Sequence, residues 1–416
     1  MMNKKPIIAF LSGAWSNVDE NIRQSTEPGG TASVVRIWAG CQVNGFETHV
    51  FIMCQHGHGL PKETEFLNGV RFHWISEPFR TTANWLRRKG LIGFCKPLSL
   101  IWQLQMLYRV VKAKIRPDII YCMRPTFLVS GWLLSRLTGA KLVWRLYGSY
   151  GLYDAWFQQN SWVERLKNIG VLVAYRIPAD LLITTNDGTR GDKVARWAGF
   201  PMERHRFWLN GVDKSLRVPD FDTALFKQSL GLAPDSLMIL MLGRLCSFRR
   251  VDRMIDAMPD ILRDVPEARL VIVGGGELRE ELENQARALE LDKKVMFVGP
   301  VPNNQIWKYL NASDLYVIVN MGSNLSATLI EAMSAGCCIL TADVGGTTEV
   351  AIDGANSVVL DDAAPSSITG AAVDLLKNPQ ERDRLAQGAY QYSMKHFQSW
   401  DERIQMEVEE LKRLIP

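Results

Sequence analysis

Ser313–Glu349 reads SDLYVIVNMGSNLSATLIEAMSAGCCILTADVGGTTE, and the fold class follows from it. Asp314–Val319 is a short apolar run rich in β-branched and aromatic residues, which predicts a buried strand. Asn320–Leu325 is a polar, Gly-containing loop at the strand's carboxyl end. Ser326 is a good N-cap, and Ala327–Ala335 is a helix that Gly336 stops. Cys337–Thr341 is a second strand, and Val344–Thr348 a second Gly-rich loop. The pattern is one βαβ unit with two polar loops on the same edge of a parallel sheet, the edge where open α/β sheets bind ligands. A helix N-terminus there suits a phosphate, because its free N–H groups and dipole face the ligand. Glu331 sits just over one turn into the helix. Its carboxylate would repel a phosphate but would accept two hydrogen bonds from a ribose diol. The competing reading is an ordinary βαβ unit with a surface glutamate.

Outward from this stretch, strands alternate with helices in two sets that meet near residues 213–235. The expectation is an α/β chain of two Rossmann-like domains facing each other across a cleft, residues 1–213 and 214–396, with a last helix over about 397–416. The 416 residues suffice for two cores, and 47% hydrophobic and 22% charged residues are ordinary for a globular protein. No uninterrupted apolar run reaches the ~18 residues of a membrane span. The start MMNKKPIIAFLSG reads as a first strand, so a secretory signal is not expected. Seven cysteines without a Cys-x-x-Cys pair point to a reduced, cytosolic chain.

The net charge of +4 conceals an asymmetry. Residues 1–215 hold 28 of the 48 Lys and Arg but 15 of the 44 Asp and Glu, a balance of +13, against −9 for the rest. No zinc-finger spacing or other nucleic-acid motif accompanies the basic half, so an anionic membrane surface or an anionic acceptor is expected rather than nucleic acid. Phe79–Leu104 mixes Trp85, Leu91, Phe94 and Trp102 with Arg80, Arg87, Arg88, Lys89 and Lys96. That pattern suits the headgroup region of an anionic bilayer; a surface helix with a solvated basic face is the bland alternative.

In the first half, Gly29-Gly30-Thr31 precedes the helix Ala32–Val43, where backbone N–H groups can approach an anion. His56 and His58 lack a third ligand and are read as loop histidines. The strand Lys141–Leu146 runs into the aromatic loop Tyr147-Gly148-Ser149-Tyr150; Arg145 near the strand's end and Tyr147 are the expected acceptor-binding residues, with a wet aromatic loop packed under the next helix as the alternative. In the second half, the strand Leu237–Leu242 leads into Gly243-Arg244-Leu245-Cys246-Ser247-Phe248-Arg249-Arg250, and Arg269–Val273 into Gly274-Gly275-Gly276. Arg279 stands where a dinucleotide fingerprint needs its third glycine, so that motif is excluded. Two helices are expected after Leu360.

Glu331-Ala332-Met333-Ser334-Ala335-Gly336 resembles the second half of the donor-site signature of glycosyltransferase family 4-like retaining enzymes, which have the GT-B fold. Ser323 stands in place of that signature's first Glu, and Tyr147 in place of a His that many relatives carry. The resemblance covers nearly the whole chain and is specific over residues 210–350. It implies that Glu331 holds the nucleotide ribose, and that Ser323, Asn324, Leu325, Ser326, Ala327 and Thr328 meet phosphate and sugar. Gly29, Gly30, Thr31, Gly243, Gly276 and Val301 also fall on the donor side. Arg244 matches a family Arg, Arg249 stands at a Lys position and Arg250 replaces a Gly. As a diphosphate leaves it gains negative charge, so the cations Arg244 and Arg249 are the implied catalytic groups. The implied activity is metal-independent, retaining transfer of a sugar from a nucleotide diphosphate sugar to a glycan or lipid-linked acceptor, in surface-polysaccharide assembly, by a cytoplasmic protein on the inner membrane face. No cofactor is expected. The alternatives are a non-catalytic relative that binds a nucleotide sugar or a partner, and a sugar-nucleotide epimerase.

Overall fold

In the first half, apolar runs become strands β1 (Ile7–Gly13), β2 (Glu47–Cys54), β3 (Glu63–Phe66), β4 (Val70–Ser76), β5 (Ile119–Cys122), β6 (Lys141–Leu146), β7 (Leu181–Thr185) and β8 (His205–Trp208). The structure is a computed structural model that describes residues 5–13, 32–54, 63–76, 96–148, 173–321 and 325–415. The chain divides into two compact units, one formed by residues up to Asn210 together with Asp401–Pro416, the other by Gly211–Trp400.

The first unit carries one eight-stranded sheet in the order β3-β4-β2-β1-β5-β6-β7-β8. All pairs are parallel except β3 with β4, which turn on Leu67-Asn68-Gly69, all three at positive φ. All seven residues of β1 are buried, as a strand covered on both faces requires. On one face, Phe10, Trp38 and Phe72 pack with helix α1 (Ala32–Val43) and with the C-terminal helix Trp400–Arg413. On the other, Leu11, Phe51 and Trp144 pack with α2 (Lys96–Lys112) and α3 (Leu128–Thr138). Helix α4 (Gly191–Trp197) follows β7.

The C-terminal helix is tied in by charge as well as by apolar packing. The fully buried Glu407 accepts hydrogen bonds from Tyr121 and Arg145 and faces Arg403 at 2.9 Å. Arg403 donates to the Leu209 carbonyl at 3.0 Å and lies over the Trp208 ring. Burial works against the Glu407 charge, but the two guanidiniums overcome it and hold the carboxyl below its ordinary range.

The second unit begins with α5 (Thr223–Ser229) and carries β9 (Leu237–Leu242), α6 (Val251–Asp264), β10 (Ala268–Val273), α7 (Arg279–Ala288), β11 (Val295–Gly299), α8 (Ile306–Ala312), β12 (Leu315–Ile318), α9 (Ala327–Ala335), β13 (Ile339–Ala342), β14 (Val358–Leu360), α10 (Pro365–Lys377) and α11 (Pro379–His396). Its parallel sheet runs β11-β10-β9-β12-β13-β14. Chain order therefore reverses between β9 and β12, a topological switch point. Its core joins Ile239, Ile272, Val317 and Leu340 to Met254, Ile255, Met258 and Ile261 of α6. Helix α5, which follows the junction between the two sets of elements, is tied to this unit: the buried Lys227 ammonium donates to Asp314 at 2.7 Å and to the Ser236 carbonyl at 2.8 Å.

Three helices follow Leu360, not the two expected. The Asn378 side chain accepts from the Glu381 N–H, and Pro379, with no N–H to donate, starts a new helix there. Among the described residues, no helix is long and apolar enough to cross a membrane.

Candidate functional site

The carboxyl ends of β9, β10 and β12 bring three loops to the switch point, and glycines let them touch. Gly243 and Gly274 sit at φ 138 and 141. A Cβ on Gly274 would stand 1.9 Å from the Gly243 carbonyl oxygen, and one on Gly276 would stand 2.2 Å from that of Leu245. Any larger residue at these positions would part the loops. The Leu245 N–H donates to Gly275 at 3.0 Å, and the Met321 N–H donates to Phe248 at 2.8 Å, so the loop after β9 is stitched to both neighbours.

Arg249 is held in the middle. Its Nη1 donates to Ser326 Oγ at 3.1 Å and to Asn320 Oδ1 at 3.4 Å. Asn320 and Ser326 are both buried, and the guanidinium lies over Gly243, whose absent side chain leaves it room. A guanidinium on the loop after β9 that is fixed by the loop between β12 and α9 is a rigid cation with further N–H groups left to offer an anion.

Ser326 departs from the sequence expectation. It occupies the N-cap of α9, but its hydroxyl does not cap the helix. It is engaged instead with Arg249 and with Thr328 Oγ1 at 2.8 Å. The arginine competes successfully for the oxygen that a plain helix start would use, leaving orphan N–H groups at that end for a ligand.

Glu331, one turn further along α9, is half-buried and has no hydrogen bond or ion pair with another described residue. Burial, aided by the charge of Asp213, pushes its carboxyl up to about 7. A carboxylate in this position with no partner among the described residues is unfavourable and is relieved by a ligand that donates hydrogen bonds.

Arg244 differs from Arg249. It is exposed and pairs with Glu277 at 3.0 Å, from the loop after β10. An exposed pair contributes little, so Arg244 can leave Glu277 for a phosphate at small cost.

Arg250, in the position where the family resemblance puts glycine, adopts φ 54 and ψ 37 ahead of α6. A non-glycine residue in that left-handed region costs roughly 1 kcal/mol. Arg250→Gly is therefore expected to raise stability to urea by up to about 1 kcal/mol; a loss of stability would show that the Arg250 side chain outweighs the backbone cost.

The other expected residues fall as follows. Gly276 closes against Leu245 in the same loop cluster, and Leu325 is buried next to Ser326; Val301 lies just beyond β11, and Ala327 and Thr328 open α9. Gly29, Gly30, Thr31, Ser323 and Asn324 lie outside the described residues, as do His56, His58 and residues 77–95. Arg145, expected at an acceptor, is 1% exposed and bound to Glu407, so its guanidinium is buried away from any acceptor. Tyr147 packs against it, with the Arg145 guanidinium 4.7 Å from the ring centroid. Asn320 and Glu277 were not singled out from sequence. The signal for Asn320 was a polar residue ending an apolar strand, which gains meaning only once β12 is known to neighbour β9. Among the described residues, no three His, Cys, Asp or Glu side chains gather to hold a metal ion.

Residues 222–392 match the family model described as glycosyl transferases group 1. The second unit carries a group 1 glycosyl transferase domain. The match runs from the start of α5 into α11 and so contains Arg244, Arg249, Asn320, Ser326 and Glu331. Among curated proteins, an uncharacterized glycosyltransferase of Methanocaldococcus jannaschii is 31% identical over 42% of this chain and 45% of its own. A D-inositol 3-phosphate glycosyltransferase of Acidothermus cellulolyticus is 28% identical over 55% and 52%. The chain thus spans about half the length of these two relatives. Among solved structures, Anabaena HepE in complex with UDP superposes with a TM-score of 0.70 at 18% identity, covering 98% of this chain and 99% of that one. The fold is GT-B, and the group 1 domain is its second Rossmann-like unit.

Proposed function

We propose that the chain is a retaining glycosyltransferase that moves a sugar from a nucleotide diphosphate sugar to a hydroxyl of a glycan or lipid-linked acceptor. The observation that carries this reading is a fixed cation, Arg249, held at the start of the helix that also carries Glu331, a carboxylate with no partner among the described residues, at a sheet switch point. A nucleotide diphosphate sugar needs both. Its diphosphate takes the arginine fork and the orphan N–H groups of α9, and its ribose diol donates to Glu331.

When the glycosidic bond to the phosphate breaks, negative charge grows on the departing diphosphate. Arg249 is already oriented to meet it, with Arg244 released from Glu277 as a second cation. The arginines supply the charge that a metal ion supplies elsewhere, so transfer is read as metal-independent. Retention of configuration is inferred from the likeness of Glu331–Gly336 to the retaining family's signature. The acceptor is assigned to the first unit, and the setting is assembly of surface polysaccharide at the cytoplasmic membrane face. An α-linked donor that yields a β-linked product would overturn retention.

The pH dependence of donor binding tests the carboxylate's part. A ribose diol donates to the ionised form, so binding favours ionised Glu331 and releases its proton. With the Glu331 carboxyl pushed up to about 7, affinity for a nucleotide sugar is expected to rise up to about tenfold from pH 6 to pH 8. Glu331→Gln abolishes the slope and weakens binding at pH 8. A slope that persists in Glu331→Gln assigns the titration to another group.

A further inference from the structure

Strand β12 carries a tyrosine in the middle of the second sheet. Tyr316 pairs in register with Leu240 of β9 and Ile339 of β13 and is fully buried. Its strand neighbours Leu315 and Val317 pack into the core with α6, so Tyr316 points to the opposite face. Its hydroxyl has no hydrogen-bond partner among the described residues. A buried tyrosine usually finds one, because a stranded polar group costs stability. The Thr328 hydroxyl stands beside it, near enough to act on its proton but without hydrogen-bond geometry. Burial pushes the phenol well above its ordinary range, opposed by Thr328 and the Arg249 guanidinium and assisted by the Glu331 carboxyl. The orphan hydroxyl therefore lies by the first turn of α9, within range of both charges of the candidate site.

Thr328 is already one link of a chain. Arg249 Nη1 donates to Ser326 Oγ at 3.1 Å, and Ser326 Oγ meets Thr328 Oγ1 at 2.8 Å, where either oxygen can be the donor. Each hydroxyl has one proton and two lone pairs. The chain holds a donor at every link and ends on no acceptor, and the phenol is the donor left unpaired. An anion at the start of α9 supplies the acceptor. Once it takes the Ser326 proton, Ser326 accepts from Arg249 and from Thr328. Thr328 then has both lone pairs free, and a small turn of its side chain lets it accept from Tyr316.

We propose that Tyr316 is a positioning residue for the donor's diphosphate, completing a hydroxyl relay in which Tyr316 donates to Thr328, Thr328 to Ser326 and Ser326 to a phosphate oxygen. This role rests on the donor site proposed above and adds to it a residue that the phosphate does not touch. Stability and binding then pull in opposite directions. The hydroxyl destabilises the protein without the anion and strengthens its hold on the anion.

Calorimetric titration with inorganic pyrophosphate, the anion without base or sugar, tests the relay. Tyr316→Phe deletes only the hydroxyl and should weaken pyrophosphate binding about fivefold to tenfold. It should also raise the melting temperature measured without ligand by roughly 2–4 °C. Thr328→Val breaks the chain one link earlier and should weaken binding at least as much; adding Tyr316→Phe to it should then cost nothing further. The relay is overturned if Tyr316→Phe binds pyrophosphate as wild type does, if it melts lower than wild type, as loss of a structural hydroxyl would make it, or if the two losses add in full. The same titrations with UDP, GDP, ADP and CMP sugars separate the relay from the donor reading. Pyrophosphate binding that Tyr316→Phe weakens, without binding of any nucleotide sugar, overturns the donor reading and supports the relay. Nucleotide-sugar binding that Tyr316→Phe leaves intact overturns the relay alone. If wild type binds neither, both fall.

Discussion

Arg249→Ala is expected to lower kcat/KM for glycosyl transfer by about 10²–10³, the usual consequence of removing a fixed charge from where charge develops. Arg249 is anchored by Asn320 and Ser326 on the loop after β12 and at the start of α9, while its own backbone belongs to the loop after β9. The guanidinium therefore needs little reorganisation when the diphosphate departs. Arg249 holds the diphosphate in the ground state and more strongly as the bond breaks, so KM should rise about tenfold and kcat should carry the rest of the loss. Arg249→Lys separates charge from geometry. It keeps the cation but gives up the fork that holds both Ser326 and Asn320, and should fall between wild type and alanine. Initial rates of nucleotide release check both. An alanine variant that keeps wild-type kcat would remove Arg249 from the chemistry.

Glu407→Ala is expected to cost about 3–5 kcal/mol of stability, because it strands two buried guanidiniums that share one carboxylate. Arg145 and Arg403 are each 1% exposed, and Glu407 is wholly buried. The loss should appear in urea denaturation as a lower midpoint for the first unit, with the C-terminal helix loosened from it. The pH dependence has a definite sign. Glu407 titrates below its ordinary value in the folded protein, so its stabilisation is present above the unfolded pKa of about 4.3 and is lost as pH falls through the lowered value. The gap between wild type and Glu407→Gln should therefore narrow in acid below that range. A gap that stays constant from pH 7 to pH 3 would show that packing, and not charge, holds the helix.

The periodic parts of the fold were legible in the sequence. Helix Ala327–Ala335 and strands Lys141–Leu146 and Leu237–Leu242 lie where their apolar runs put them, and Gly336 stops α9 in the left-handed conformation at φ 72. Short elements were not. Strand β3 escaped because Phe66 is the single apolar residue of Glu63–Phe66, although the Asn68-Gly69 turn behind it is a hairpin signal. Strand β8 was hidden in a segment rich in Arg and His. The split at Asn378 was missed because apolar spacing continues on both sides of it.

The site divides in the same way. The family resemblance pointed to Arg249, and a place one turn into a helix at the ligand edge pointed to Glu331, but partners are a matter of topology. Nothing local in sequence says that Ser326 serves an arginine 77 positions earlier instead of its own helix. Likewise Arg145 looks available at a strand end until the last helix brings Glu407 onto it. Both depend on contacts between distant segments, which a local pattern does not carry.

The most direct test of the central claim is calorimetric titration of the intact chain with UDP, GDP, ADP and CMP sugars, beside Arg249→Ala and Glu331→Ala. The account predicts that one nucleotide class binds wild type and that each variant weakens it about tenfold or more, as the loss of a charge-assisted contact requires. Absence of binding by every nucleotide sugar, or binding that both variants leave intact, would contradict it.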